Sequence, residues 1–151
     1  MIQLEKYDEV YLKNSWRWLN DPQIKSLTDT SDFTQEQQKK WFESIDETPT
    51  YKIWGVSFNG IPIGVFGIKN INDLERKGEY WGYIGEKQYW GQGLGKIILN
   101  ELLKIASNEL KLESIYLRVL VENNVAINLY RKFDFQEVSN ENGNIIMQKT
   151  L

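Results

Sequence analysis

The chain has 151 residues, 41% hydrophobic and 26% charged, with a net charge of −3 at pH 7. A chain of this length and balance buries roughly two thirds of its unfolded surface around one core, which excludes disorder, and the lack of any long basic run argues against a nucleic-acid partner. There is no cysteine and no histidine, which excludes disulfides, thiolate ligands, thiol nucleophiles and the commonest general base, and leaves proton transfer to Glu, Asp, Tyr, Lys or water.

The opening MIQLEKYDEV has neither a basic nor an apolar segment, and nowhere do about 18 apolar residues run together, so the chain reads as cytoplasmic, without a membrane span. No repeat or Pro/Gly/Ser-rich linker divides residues 1–151, which read as one domain. Ile2 to Glu5 suggests a short strand. Tyr7 to Leu19 carries apolar residues at 7, 11, 12, 16 and 19, near helical spacing, and Asn20-Asp21-Pro22 stops that helix. Thr34 with Gln37 has the form of a capping box opening a second helix through Trp41, Phe42 and Ile45, ended at Thr48-Pro49.

YKIWGVSF (51–58) and IPIGVFGIK (61–69) are β-rich runs joined by Asn59-Gly60, a strong hairpin signal. A third run, EYWGYIG, spans Glu79 to Gly85. After YWGQGLGK (89–96) comes a helix with apolar positions 98, 99, 102, 103, 105, 106 and 110, then SIYLRVLV (114–121), a strand of the kind that lies inside a sheet. Asn123 to Phe133 reads as a helix, and NIIMQK (144–149) as a closing strand after Asn142-Gly143, with room for one more strand. The pattern predicts an α/β (α+β) fold, a mixed central sheet of six to seven strands flanked by about four helices.

Gly91, Gly93 and Gly95 stand at the mouth of the third predicted helix. A dinucleotide fingerprint fails, because the sixth position counted from Gly91 is Lys96 and from Gly93 is Ile98. A Walker A loop fails too, because Ile97 follows Gly95-Lys96 and Trp90 stands where its first glycine belongs. What remains is a helix start nearly free of side chains, where unpaired N–H groups suit a pyrophosphate. The alternative is a tight turn alone, although three glycines that each cost about 1 kcal/mol of helix stability weigh against it.

The run EYWGYIG, YWGQGLG, the amphipathic helix, IYLRVLVEN and NNVAINLYRKFDF together resemble the acetyl-coenzyme A binding half of the GNAT N-acetyltransferase superfamily. The branch resembled contains ribosomal-protein N-terminal and amino-sugar-nucleotide acetyltransferases. The family's first motif is Arg or Gln, two residues, Gly, one residue, then Gly or Ala; Gly93 and Gly95 match, with Trp90 at the Arg/Gln position. A frame of Gln88, Gly91 and Gly93 fits the letters better but the helix start less well. In the second motif Asn123, Ala126, Ile127, Leu129, Tyr130 and Phe135 match, and Asp134 replaces the usual glycine.

The resemblance implies acetyl-coenzyme A as co-substrate, no metal, and a primary amine as acceptor. It implies that backbone groups of Trp90, Gly91, Gln92, Gly93, Gly95 and Lys96 hold the pyrophosphate, and that Tyr83 and Ile84 pair with the pantetheine as an added strand would. Asn123 either hydrogen-bonds the cofactor or only caps its helix. Tyr130 is implied as the general acid at the thioester sulfur, with a core tyrosine as the alternative. Glu79 is the candidate base, against an exposed strand-end glutamate, with Glu122 in reserve. Trp16, Trp18, Trp41, Trp54 and Trp81, with Tyr80 and Tyr83, are candidates for an acceptor pocket or for plain core. The acceptor expected is an amino-sugar nucleotide or other small amine, then a protein N-terminus; a non-catalytic acetyl-coenzyme A binding module is the rival class. The chain is expected to be a monomer or homodimer without nucleic-acid or membrane partners.

Overall fold

A computed structural model describes residues 1–151. Strand β1 (Ile2–Lys6) leads to helix α1 (Glu9–Leu19), whose first turn is capped by the Asp8 carboxylate on the N–H groups of Val10 and Tyr11. The Asn20-Asp21-Pro22 signal ends α1 but also starts another helix. Asp21 accepts from Gln23 and Ile24, Pro22 sits where its missing N–H costs nothing, and α2 (Pro22–Leu27) follows. Helix α2 brings the α-helices to five, in keeping with the about four expected. Helix α3 (Gln35–Ser44) begins with the expected capping box: Thr34 Oγ1 accepts from the Gln37 N–H at 3.1 Å and Gln37 Oε1 from the Thr34 N–H at 2.9 Å.

Strands β2 (Lys52–Phe58) and β3 (Ile61–Asn72) form the expected hairpin, with Asn59 at φ +50° and Gly60 at φ +82°, the left-handed pair that a type I′ turn requires. β4 (Lys77–Ile84) starts two residues earlier than expected and is followed by a short 3₁₀ turn and α4 (Leu94–Lys104). Then come β5 (Ser114–Leu120), α5 (Asn124–Lys132), β6 (Gln136–Glu141) and β7 (Asn144–Thr150), the last two joined at Asn142-Gly143.

The seven strands lie in the order β1-β2-β3-β4-β5-β7-β6, and β5 is interior as expected. Every neighbouring pair is antiparallel except β4 and β5, which run parallel and pair only from Lys77, Gly78 and Glu79 to Ser114, Ile115 and Tyr116. Beyond Glu79 and Tyr116 the two strands no longer pair with each other, so the sheet splits open there. One face carries the main core, where Leu94, Ile98, Leu99 and Leu102 of α4 and Ile127 of α5 are buried, each apolar side chain worth about 1.5–3 kcal/mol. The other face is covered by α1 and α2 through a smaller cluster of Tyr7, Tyr11, Trp18, Ile24 and Val65, against which Trp41 and Phe42 of α3 pack. Alternation along β4 sends Tyr80 and Ile84 to the α4/α5 face and Trp81 and Tyr83 to the α1–α3 face.

Candidate active site

The opening between β4 and β5 joins a cleft of about 600 Å³ that is lined from both faces of the sheet. Glu79, Tyr80, Trp81 and Tyr83 come from β4, Arg118 and Val119 from β5, Asn123 and Tyr130 from the start and body of α5, and Ser15, Trp41 and the segment Thr28–Thr30 from the α1–α3 side. The cleft thus brings together Glu79, Tyr83, Asn123 and Tyr130 of the expected site residues. Outside it lie Ile84 at the end of β4, Trp90, Gly91, Gln92 and Gly93 in the connection to α4, and Gly95 and Lys96 in the first turn of α4.

Glu79 is no exposed strand-end residue: it is 4% exposed. Its Oε1 accepts from Asn70 Nδ2 at 3.0 Å, and Lys69 Nζ stands 3.8 Å from Oε2. A buried carboxylate held this way is oriented, with a cation to compensate its charge. Glu122 is exposed and does not line this cleft.

Tyr130 packs edge-on to Tyr80 at 6.1 Å between ring centroids and against Phe135 at 5.7 Å. Burial pushes its phenol up to about 12, so it stays protonated throughout the neutral range. The last turn of α5 fixes its place. Asp134 adopts φ +67°, the Phe135 N–H donates to the Tyr130 carbonyl at 3.1 Å, and the Asp134 N–H to that of Arg131 at 3.0 Å, a Schellman ending. Asp134 therefore takes the place of the glycine usual at that position. Asn123 caps α5, its Oδ1 accepting from the Ala126 N–H at 3.3 Å, while its side-chain amide remains free to donate into the cleft.

Four of the five α-helices have an N-cap whose side chain accepts a hydrogen bond; α4 alone has none. Its N-cap is Gly93, at φ +75°, and Gly91 shares that φ. A Cβ on either would meet nothing within 4 Å, so these glycines answer a backbone conformation, and open space lies over them. The N–H groups of Gly91, Gln92 and Gly93 have no partner in the chain, and the first turn of α4 adds its own. Gly95 lies in that turn, where a Cβ would meet Leu129 Cδ2 at an ordinary 3.6 Å. The Trp90 indole N–H donates to the Ile84 carbonyl at 2.8 Å and so ties the loop to the end of β4. One lone pair of the Ile84 carbonyl is thereby used inside the chain.

Of the aromatic candidates, Trp41, Trp81, Tyr80 and Tyr83 line the cleft. Trp18 is core at 1% exposure, Trp54 packs against the main core, and Trp16 stands edge-on to Phe33 at 5.3 Å. Tyr7 and Tyr51, which carry no signal of their own in the sequence, join the same wall: Tyr7 meets Trp41 at 5.6 Å and Tyr51 meets Trp81 at 5.9 Å. Only the period-two alternation of EYWGYIG, which puts Trp81 and Tyr83 on one face, announces this wall in the sequence.

The model of the acetyltransferase (GNAT) family matches residues 14–135 of the chain. The chain belongs to that family. It is an acetyl-coenzyme A-dependent N-acetyltransferase. A probable spermine N(1)-acetyltransferase of Bacillus subtilis subsp. natto is 33% identical over 106 residues, covering 67% of this chain and 70% of the relative. Acetyltransferase PseH of Campylobacter jejuni is 25% identical over 138 residues, covering 89% and 85%. Among solved structures, the spermidine N-acetyltransferase of Vibrio cholerae in complex with CoA and spermine superposes at a TM-score of 0.87 and 20% identity, covering 97% of this chain and 92% of that one. It shares the GNAT fold seen here. The chain contains no group of three His, Cys, Asp or Glu residues placed to hold a metal, and no helix long and apolar enough to cross a membrane.

Proposed function

We propose that residues 1–151 act as one domain in the cytoplasm, as a monomer or homodimer, and acetylate the primary amine of a small molecule, with an amino-sugar nucleotide as the first choice. The observation that carries this reading is the aromatic acceptor side of the cleft, which holds no excess of negative charge. Its charged lining residues balance, Asp29 and Glu79 against Lys69 and Arg118. A spermine-like cation would meet few counter-charges there, whereas sugar and base rings fit against Trp41, Tyr51 and Trp81.

Coenzyme A lies along the split, in this reading, with its pyrophosphate on the N–H groups from Gly91 to Lys96 and its pantetheine beside Tyr83 and Ile84 of β4. The neutral amine enters from the α1–α3 side and attacks the thioester carbonyl, forming the C–N bond. Glu79 takes the amine proton directly or through one water. The C–S bond then breaks towards Tyr130. A thiol titrates near 8.5, so full transfer from a phenol at about 12 is uphill by about 5 kcal/mol. Tyr130 therefore serves chiefly as a hydrogen-bond donor to the departing sulfur, and solvent completes the protonation.

A polyamine acceptor is the second reading, favoured by the 33% identity to the Bacillus relative. The test is thiol release from acetyl-coenzyme A with a nucleotide-linked amino sugar, spermidine and a short peptide bearing a free N-terminus. Fastest release with the amino sugar is expected. A clear preference for spermidine would install the second reading, and a preference for the peptide would move the acceptor to a protein N-terminus.

A further inference from the structure

The Tyr83 hydroxyl is shut off from solvent and has no hydrogen-bond partner in the chain. Its surroundings are well defined. The ring stands edge-on to Trp18 at 6.2 Å, and Ser15, Tyr7 and Tyr51 lie near the phenol, close enough to influence its ionisation or to be influenced by it. Ser15 Oγ accepts from Tyr7 Oη at 2.8 Å and donates to the Tyr11 carbonyl at 2.7 Å, and its remaining lone pair meets the nearby Tyr83 phenol only in a weak, poorly aligned contact and not in a hydrogen bond of good geometry. Ser15, Tyr7, Tyr51 and Tyr83 all line the acceptor side of the cleft.

A buried hydroxyl that donates to nothing is costly, and where it borders a cleft a bound water, ion or ligand group can complete it. Burial pushes this phenol well above its ordinary range, so it presents an O–H rather than a phenolate. An ammonium group offers only hydrogens. It can use a lone pair of Tyr83 but leaves the proton of the O–H unplaced. A ligand hydroxyl, ether, carbonyl or phosphate oxygen places it.

We propose that Tyr83 is a specificity-determining residue of the acceptor site, whose hydroxyl donates to an oxygen of the substrate and so selects oxygen-bearing amines over polyamines. This rests on the reading of the α1–α3 side as the acceptor site, given above. A second consequence follows without any substrate: removing the hydroxyl relieves the free protein of an unsatisfied donor.

The test compares the wild type with Tyr83→Phe by calorimetric binding, which needs no turnover, using a nucleotide-linked amino sugar and spermidine as probes and coenzyme A as the control. The expected result is a loss of about 2- to 12-fold in affinity for the amino sugar, the value of one neutral hydrogen bond. The affinity for spermidine stays unchanged, as does that for coenzyme A, whose pantetheine meets the backbone of Tyr83 and not its hydroxyl, and the thermal midpoint of the free protein is equal or higher. Equal weakening towards both amines, unchanged affinity for the amino sugar, tighter wild-type binding of spermidine than of the amino sugar, or a lowered midpoint would each overturn the proposal. Binding with the expected pattern but no acetylation in the thiol-release assay would leave this role of Tyr83 standing and count against the acceptor proposed above.

Discussion

Replacing Gly93 by alanine separates what that glycine does for the fold from what it does for the cofactor. At φ +75° an L-residue with a Cβ is strained by roughly 1–2 kcal/mol. The added methyl meets nothing within 4 Å, so strain is the whole cost to the free protein. For a chain of this size that lowers the thermal midpoint by about 2–8 °C. The strain is present with and without ligand and cancels from the binding constant. Any change in coenzyme A affinity then reports the methyl group intruding on the anion above the α4 mouth, and losing one hydrogen bond to a charged group corresponds to about 10- to 150-fold. The assay is calorimetric titration with coenzyme A alongside thermal melting. Gly95→Ala is the control: its Cβ makes an ordinary contact with Leu129 in helical backbone, so stability holds or rises. Valine at 93 would be uninformative, because a β-branched residue at positive φ disturbs the fold itself. A Gly93→Ala protein that melts lower yet binds coenzyme A within about twofold of the wild type would refute a pyrophosphate seat at this turn.

Tyr130→Phe is expected to lower kcat by about 10- to 150-fold, the worth of a hydrogen bond to a developing thiolate, with the Kd for coenzyme A unchanged; equal loss in both would make Tyr130 a packing residue. Glu79→Gln keeps an oxygen for Asn70 and removes the proton sink, so kcat should fall by about 10²–10⁴ and partly recover at alkaline pH as free amine accumulates, whereas an unaltered pH profile would pass the role to water. Stability should also depend on pH in one direction. Tyr7 and Tyr130 titrate at about 12 when folded, against 10 when unfolded, and Tyr11, Tyr51, Tyr80 and Tyr83 are raised too. Their contribution is complete below pH 10 and is lost as the pH rises through the folded values, because the unfolded chain ionises first. Thermal midpoints followed from pH 6 to 11 should stay level near neutrality, where no histidine titrates, and fall above about 10; a steep change near pH 6–8 would contradict this.

Features written in short range are legible in the sequence. Asn59-Gly60, the Thr34–Gln37 capping box and the Asn142-Gly143 turn each depend on residues within four positions, and each is present. Helix α2 is hidden because Asp21-Pro22 has the form of a stop signal, although the same two residues cap and open a helix. β6 is faint because QEVSNE is mostly exposed at the sheet edge and carries little apolar alternation. The split between β4 and β5 is a long-range property: nothing local in EYWGYIG or SIYLRVLV tells that pairing ends after three residues. That split decides the site. It puts Glu79 in a cleft as a buried carboxylate and opens the sheet beside Trp81, whereas Trp18 and Trp54, on α1 and β2, stay in the core.

We propose that acetyl transfer takes place in the gap between β4 and β5. An experimentally determined structure of the chain with bound coenzyme A tests it most directly. The expected complex has the pyrophosphate on the N–H groups between Gly91 and Lys96, the pantetheine along Tyr83 and Ile84, and the sulfur within hydrogen-bonding reach of Tyr130 Oη. Coenzyme A seated on another surface, or a sulfur remote from both Tyr130 and Glu79, would contradict it.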